Sequence, residues 1–422
     1  MQLPLTSMVL ALMLAGQLFS QTHHHEHDMK MDSSDMTAHH PHSSGTSVLP
    51  ESSPMRMAMY HSGGWMFMLH GSAFVRYTNQ GGLRGGHKLD APNWGMVVAE
   101  REIETNGSLR LSAMLSLDPL TEGSNGYPLL FQTGESSNGT PLIDRQHPHD
   151  LFSELSVFYR HNFSGDVSAF VYGGCPGEPA LGPPAFMHRP SAMYLPDAPI
   201  AHHWQDATHI TFGVATGGIT IHQFTLEGSA FNGTEPDENR YNFDTPQFSS
   251  FSGRISYAPT KEIALQFSNG YLKNPENNGR DVHRTTASVL YSREHSGNNS
   301  WSSAIVWGEN RDATSGAQES LLLESAFTFM PYVASGRIEL VQKTRRELGI
   351  AIDADAKETL TAFALGVSRV IWAASGLDML GGVMGMMNIV PSGLRQFYGA
   401  TPVSFELFLQ IVPARRIAAA MH

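Results

Sequence analysis

Histidine and methionine are the residues of this chain whose types and spacing could do chemistry. The stretch Arg145–Asp150, RQHPHD, holds two imidazoles, and the proline between them keeps the backbone extended. His147 and His149 are two residues apart, so in an extended chain both side chains lie on one face. Such a pair has two interpretations. The histidines are either two ligands of one metal ion or polar residues at the mouth of the strand predicted over 151–162.

More histidines follow the pair, so that residues 147–222 contain eight in all. Several lie on a connection predicted over 174–206, which also carries seven prolines. A long, proline-stiffened loop is uncommon unless it has a function or packs on something. We therefore expect it to fold into the mouth of the protein and approach the RQHPHD pair. The predicted metal ligands of this region are His147, His149, His188, His202 and His203. The alternative is that these are scattered loop histidines with ordinary hydrogen bonds.

A second concentration of the same residue types lies near the N-terminus, over residues 21–61. Residues 21–51 are too polar to fold by themselves, and methionine is unusual there because it normally fills cores. A thioether suits Cu(I) and an imidazole suits Cu(II). Methionines at alternate positions of an extended chain share one side. We predict a disordered copper-binding segment, against the alternative of a low-complexity tail. Its candidate ligands are His23, His24, His25, His27, Met29, Met31, Met36, His39, His40, His42, Met55, Met57, Met59 and His61.

Composition limits the other possibilities. The 422 residues carry a formal charge of −12, which argues against a nucleic-acid partner and is compatible with cation handling. The single cysteine, Cys175, excludes an intramolecular disulfide and a cysteine-rich zinc site. Residues 1–20 are uncharged and contain an apolar core typical of a signal peptide but too short to span a bilayer. We expect export without a helical anchor.

From residue 62 to residue 422 the sequence predicts strands throughout, about sixteen of them, many alternating between apolar and polar residues. Tight turns, such as those predicted at Gly217-Gly218 and 374–376, alternate with long connections, such as 119–150 and 174–206. Short turns at one end and long loops at the other are typical of an antiparallel transmembrane β-barrel of the outer membrane. The sequence lacks the repeat that the blades of a propeller require. A β-sandwich would leave more unpaired strand edge to cover than a closed barrel does. The expected surroundings are therefore outer-membrane lipid.

Charged residues within the predicted strands give the expected polarity of the interior. An arginine or lysine facing lipid at the bilayer midplane costs ~2–4 kcal/mol, so these side chains are expected to face the lumen. The set is Glu154, Arg160, Glu227, Arg254, Arg284, Arg293, Glu324, Glu339, Lys343 and Arg369.

A histidine- and methionine-rich leader followed by a barrel resembles the copper-resistance B family of bacterial outer-membrane proteins. The resemblance rests on HHHEHDMKMDSSDM, MRMAMYH and the order of the parts. It implies an outer-membrane location, a role in copper tolerance, a leader that binds the metal and periplasmic copper-handling partners. Two features depart from the family pattern. The leader has no clear tandem repeat, and neither RQHPHD nor the barrel strands match that family.

The function expected from the sequence is binding or export of copper, or a related soft cation, at the outer membrane. A general porin-like channel with an incidental leader is the first alternative. A barrel enzyme that uses the loop histidines is the second, and the absence of the GxSxG and HExxH motifs weighs against it.

Overall fold

The computed structural model describes residues 43–374 and 376–414. The predicted signal peptide and the leader ligands from His23 to His42 lie outside this range. Strands account for 60% of the structure and helices for 6%. No helix in it is long and apolar enough to span a membrane.

Eighteen strands form one antiparallel sheet, and β6 and β7 form a separate hairpin. The strands are β1 (Met57–Ser62), β2 (Trp65–Gln80), β3 (Gly86–Asp90), β4 (Asn93–Ile103), β5 (Gly107–Leu115), β6 (Tyr127–Ser137), β7 (Thr140–Gln146), β8 (Phe152–Ser164), β9 (Val167–Gly174), β10 (Val214–Ile221), β11 (Phe224–Phe231), β12 (Ser250–Thr260), β13 (Ile263–Leu272), β14 (Val282–His295), β15 (Asn299–Asp312), β16 (Gly316–Phe329), β17 (Tyr332–Thr344), β18 (Lys357–Ala374), β19 (Leu377–Ile389) and β20 (Val403–Pro413). The short α-helices are α1 (Asp118–Thr121), α2 (His202–Gln205) and α3 (Arg395–Tyr398), and single 3-10 turns cover Phe186–His188, Ala207–His209, Ser296–Asn298 and Ser392–Leu394.

The eighteen strands close into a sixteen-stranded barrel, as the sequence predicts. At two places around the barrel, two short strands lie end to end and together form one strand of the wall. β3 and β4 pair in turn with the upper and lower halves of β2, so they form one interrupted strand. On the other side of β2, β20 pairs with residues 73–79 and β1 with residues 65–70. β1 therefore continues the line of β20, and this composite strand seals the barrel.

The two faces of each strand differ in polarity. In β20, Phe405, Leu407 and Leu409 are exposed on the outside, whereas Glu406 and Gln410 are fully buried inside. Seven of the ten strand charges predicted to face the lumen are buried there: Glu154, Glu227, Arg254, Arg284, Glu324, Glu339 and Lys343. Apolar side chains thus face lipid, and polar ones face the interior.

Two of the predicted lumenal charges are placed differently. Arg293 and Arg369 are exposed and lie near the short-turn end of the barrel, and the Arg369 guanidinium stacks 5.4 Å from the centre of the Tyr332 ring. The prediction is wrong for these two residues because it applied the midplane penalty to strand ends, where that penalty is small.

The turn predicted at Gly217-Gly218 is also wrong. Both glycines lie inside β10, and the turn falls at residues 222–223, where His222 has a φ of +53°. Gly218 is directly opposite Phe170, and a Cβ at Gly218 would lie 2.2 Å from that ring. The glycine is there to admit an aromatic ring, not to reverse the chain.

The predicted boundary between a disordered segment and the barrel, at residues 61 and 62, needs correction. Residues 57–62 already form β1, and residues 43–56 run through the lumen as a segment we call the strap. The side chain of Ser44 donates to Glu178, and that of Ser52 donates to the Lys261 and Ser292 carbonyls at 2.9 and 2.8 Å. Arg56 donates to Asp378 at 2.7 Å. Burial inside the barrel orders residues that are too polar to fold alone.

The connection from β9 to β10, residues 175–213, fills the lumen, and we call it the plug loop. All of its residues are buried except Cys175, Met193 and Ala207. Arg189 joins the two sides of the plug: its guanidinium donates to Asp206 within the loop at 2.5 Å and to Glu324 of β16 at 2.7 Å. Side chains of the barrel wall form further hydrogen bonds to the backbone of the plug loop. Four donate to carbonyl groups: Arg254 to Gly182, Arg284 to His203, Arg337 to Asp197 and Gln410 to Met193. The Glu339 carboxylate accepts from the Ala201 N–H.

Candidate functional site

Five histidines form a closed ring in the lumen, which we call the histidine cluster. Its members are His147, His149, His209, His202 and His203. Consecutive members, taken in that order and back to the first, have ring centroids between 5.0 and 6.2 Å apart. The first two precede β8, and the other three come from the plug loop. The prediction that this loop folds inward onto the RQHPHD pair is confirmed.

Every imidazole of the histidine cluster has its Nδ1 directed at an oxygen. His149 Nδ1 lies 2.7 Å from Asp118 of α1, and His202 Nδ1 lies 2.6 Å from Asp206. The remaining contacts are His209 to the Asp206 carbonyl at 2.9 Å, His147 to the Pro148 carbonyl at 3.1 Å and to Glu135 at 3.2 Å, and His203 to Glu235 at 3.4 Å. Acceptors on all sides assign the proton to Nδ1, so Nε2 carries the lone pair.

The Nε2 atoms of the cluster are the reactive side. Those of His149, His203 and His209 are buried and have no hydrogen-bond partner. An imidazole with Nδ1 held by an oxygen acceptor and a free Nε2 is arranged as metal-binding histidines are, because the acceptor fixes the tautomer and the ring orientation.

Burial keeps these loop imidazoles neutral. Burial, reinforced by the neighbouring imidazoles, lowers the pKa of His147 and of His209 well below the usual value. Burial also lowers the pKa of His202, and the nearby Asp206 carboxylate only partly offsets it. Burial alone would raise the pKa of Asp206, but Arg189 and His202 outweigh it and lower that pKa. These three imidazoles therefore present lone pairs, not positive charges, to whatever enters the lumen.

The five imidazoles are not arranged as a closed set of metal ligands. Within residues 43–374 and 376–414, no set of three or more His, Cys, Asp or Glu side chains is positioned to hold a metal ion. The imidazoles thus contact one another without three of them converging on one point. They offer a succession of one- and two-ligand positions in place of a closed chelate.

His188 is not a member of this ring, although it lines one cavity together with His147 and His149, the pair with which the prediction grouped it. Its ring centroid is 5.7 Å from that of His70 in β2 and 4.8 Å from that of Trp94 in β4. Three methionines predicted as ligands lie on the same side of the molecule. Met57 and Met59 share the inner face of β1, opposite His70 and Met68, as the alternating pattern predicts, and Met55 precedes the strand. His61, also in β1, is exposed at the end of the barrel.

An acidic vestibule leads from the long-loop end of the barrel to the histidine cluster. Its volume is about 700 Å³, and carboxylates outnumber guanidinium groups among its lining residues. The carboxylates are Glu135, Glu235, Asp237, Glu238, Glu276 and Glu347, and the cations are Arg240, Arg280 and Arg346. Glu135 and Glu235 also contact His147 and His203. The vestibule and the cluster therefore share these two carboxylates.

Sequence reasoning missed His209 as a site residue, together with the acceptors Asp118, Asp206, Glu135 and Glu235. Only one of these had a local signal: Asp206 follows His202 by four residues, a spacing that places both on one face of a helical turn. The others come from α1, the β6–β7 hairpin and the β11–β12 loop, whose proximity to the plug loop depends on the closed barrel.

No protein-family model and no curated protein matches this chain. Solved structures do match. OmpF of Salmonella typhi, in complex with daunomycin, is 9% identical, with a TM-score of 0.51 over 84% of this chain and 100% of its own. An anion-selective porin from Comamonas acidovorans is 10% identical, with a TM-score of 0.47 over 82% and 99%. OmpT of Vibrio cholerae is 8% identical, with a TM-score of 0.45 over 84% and 100%. The likeness to OmpF shows a porin-like barrel fold.

Proposed function

We propose that this protein is an outer-membrane channel that binds and conducts a soft or borderline cation, copper foremost, through its lumen. The observation that carries the proposal is the histidine cluster: five imidazoles with Nδ1 held by oxygen, three of which have a buried Nε2 without a partner. Imidazole nitrogen suits copper and related transition metals, whereas Mg²⁺ and Ca²⁺ prefer oxygen ligands.

The open arrangement of the cluster suits conduction better than storage. A pore must bind its ion well enough to admit it and weakly enough, over several sites, to release it. A closed set of three or four ligands would retain the metal. A ring of imidazoles 5.0–6.2 Å apart lets an ion pass from one nitrogen to the next.

The acidic vestibule supports the cation and a direction of approach. Clefts lined by one sign of charge concentrate ions of the opposite sign. In the proposed orientation the short turns face the periplasm and the long loops face outward, so the vestibule opens to the outside. The leader, residues 21–42 of the proposed copper-binding segment, would supply or receive copper on the periplasmic side, together with periplasmic copper-handling proteins.

A general porin is the second candidate, and the likeness to OmpF favours it. The plug loop opposes it, because its buried residues occupy the space that a wide, water-filled channel requires. Conductance in planar bilayers separates the two. A selective channel gives small currents that respond to Cu(II), and an unselective porin gives large currents that do not.

Metal binding to protein lacking residues 21–42 tests the cluster itself. We expect His149→Ala/His209→Ala to weaken Cu(II) binding by at least about ten-fold, since it removes two of the unpartnered Nε2 atoms. His222→Ala/His295→Ala, which removes two exposed histidines at the turn end, is the matched control and should leave affinity unchanged. A barrel that binds no Cu(II), or binds it equally in both variants, contradicts the proposal.

A further inference from the structure

A small cavity beside the histidine cluster has a different chemistry. Its volume is about 80 Å³, and we call it the methionine cavity. Its lining includes the thioether side chains of Met55, Met187 and Met193, contributed by the strap and the plug loop. The imidazoles of His70 and His188 also line it, together with those of His147 and His149 from the histidine cluster and the carboxylate of Asp118.

More methionine lies on the wall behind the cavity. Met68, Met96 and Met114, on three neighbouring strands, are almost completely buried and belong to the same apolar cluster as Met187. Met96 stands directly opposite His70 on one side and Met114 on the other. The ordinary explanation for buried methionine is that it fills gaps in a core. Most of the lumen wall, however, is built from serine, threonine and charged residues.

His188 distinguishes between methionines that merely fill the core and methionines that form a binding site. His188 is buried, and its Nε2 has no partner. An unpaired polar nitrogen among thioethers and aromatic rings costs free energy unless something binds it. Burial lowers the pKa of His188 to about 4, so the ring is neutral and its nitrogen is available as a ligand. Trp94 packs 4.8 Å away, centroid to centroid, and restrains the ring.

We propose that the methionine cavity binds a soft monovalent cation, with His188, Met187 and His70 as its principal ligands. The ion bound in the working protein is Cu(I). Thioether and imidazole together suit Cu(I), whereas Cu(II) and Zn(II) favour imidazole and harder ligands. The inference deepens the proposed function, since it assumes that a cation reaches the lumen. It assigns the reduced ion to this cavity and the oxidised ion to the histidine cluster.

Ag(I) is the probe for the test, because it has the ligand preference of Cu(I) without its redox chemistry. Full-length protein in detergent, labelled with ¹³C at the methionine methyl groups, is titrated with Ag(I). We expect the Met187 and Met193 resonances to shift, separately from those of the leader methionines. Met187→Leu/Met193→Leu should weaken Ag(I) binding in the lumen by at least about ten-fold. At a fixed Ag(I) concentration, the weaker binding is observed as less quenching of Trp94 fluorescence by the ion.

Met384→Leu/Met386→Leu is the matched control. These two methionines are also buried in the lumen, but in a cluster with Phe74, Leu195 and Phe408 that contains no histidine. Methionine to leucine nearly conserves volume, so both variants should fold. Ag(I) shifts confined to Met29, Met31 and Met36, or equal affinity in both variants, would overturn the proposal. Loss of Cu(II) binding in His203→Ala/His209→Ala, which removes two unpartnered imidazoles that do not line the methionine cavity, with Ag(I) binding intact would separate this site from the histidine cluster.

Discussion

The histidine cluster and the methionine cavity are neighbours that hold the same kind of residue in opposite surroundings. In the cluster, each imidazole has an oxygen at Nδ1, and an acidic vestibule opens onto it. In the cavity, His188 is surrounded by methionine, phenylalanine and tryptophan. The two proposed ligands thus differ because the surroundings of the imidazoles differ. The plug loop contributes imidazoles to both places, and the barrel wall and the other loops supply most of the groups around them.

The largest expected effect comes from releasing the plug loop, because this disrupts the histidine cluster and the methionine cavity together. In Arg189→Met, the carboxylates of Asp206 and Glu324 lose their buried partner, a change that destabilises a fold by about 3–5 kcal/mol. We expect larger bilayer currents and loss of both Cu(II) and Ag(I) binding, with the barrel itself still heat-modifiable on gels. Arg311→Met is the control, since Arg311 is mainly exposed and pairs with Glu309 near the rim of the barrel. Unchanged currents in Arg189→Met would mean that the plug does not depend on this pair.

A smaller effect should be confined to the histidine cluster. Asp118→Asn replaces the carboxylate that accepts from His149 Nδ1 at 2.7 Å with an amide that can donate there. The His149 proton then moves to Nε2, which loses its lone pair. Loss of such a partner typically weakens metal binding about 10–100-fold. Calorimetry with Cu(II) measures the change.

A second His–Asp pair provides the control for that substitution. Asp166 lies 3.5 Å from His222 Nδ1, and both side chains are about 70% exposed at the turn end. Asp166→Asn should therefore leave Cu(II) affinity at the wild-type value. Equal losses in the two variants would show that the effect does not come from the histidine cluster.

How much of this arrangement is accessible from the sequence depends on the range of the interaction. The barrel is accessible because alternation in strands such as β20 is local and reports which face meets lipid. The division of His188 from His147 is not, because it depends on which wall strand each loop residue reaches. His70 illustrates this: in sequence it is one polar residue in an apolar strand, and only closure of the barrel brings it to His188.

Composite elements were missed for the same reason. β1 falls in the predicted disordered segment because Met57, Met59 and His61 continue its methionine and histidine pattern, and only its pairing with β2 makes it a strand. The β6–β7 hairpin was read as loop, since its proline and glycine residues resemble turn signals. The copper interpretation of residues 21–42 lies outside the described residues and stays a prediction.

The smallest expected effect sharpens the geometry of the cluster. A Cβ at Gly134 in β6 would lie 2.4 Å from Cε1 and 2.6 Å from Nε2 of His203. Gly134→Ala should push that ring away from the cluster and weaken Cu(II) binding a few-fold. Gly139→Ala, in the same hairpin, is the matched control: its φ of +71° also disfavours a side chain, but a Cβ there meets nothing within 4 Å. If both variants bind Cu(II) equally, the His203 ring position does not matter.

The composite strand of β20 and β1 has a consequence for how the chain folds. The barrel seals between β2 and β20, and Ser72 and Gln410 on these strands are bonded across a sequence separation of 338 residues. Contacts between such distant residues form late, because the chain entropy lost in closing the loop precedes any gain from pairing. The strap precedes β1 directly and lies within the lumen, so sealing also encloses the strap and the plug loop. Folding intermediates should thus be open-sided sheets, with the lumen contents still accessible to protease until the final pairing excludes it.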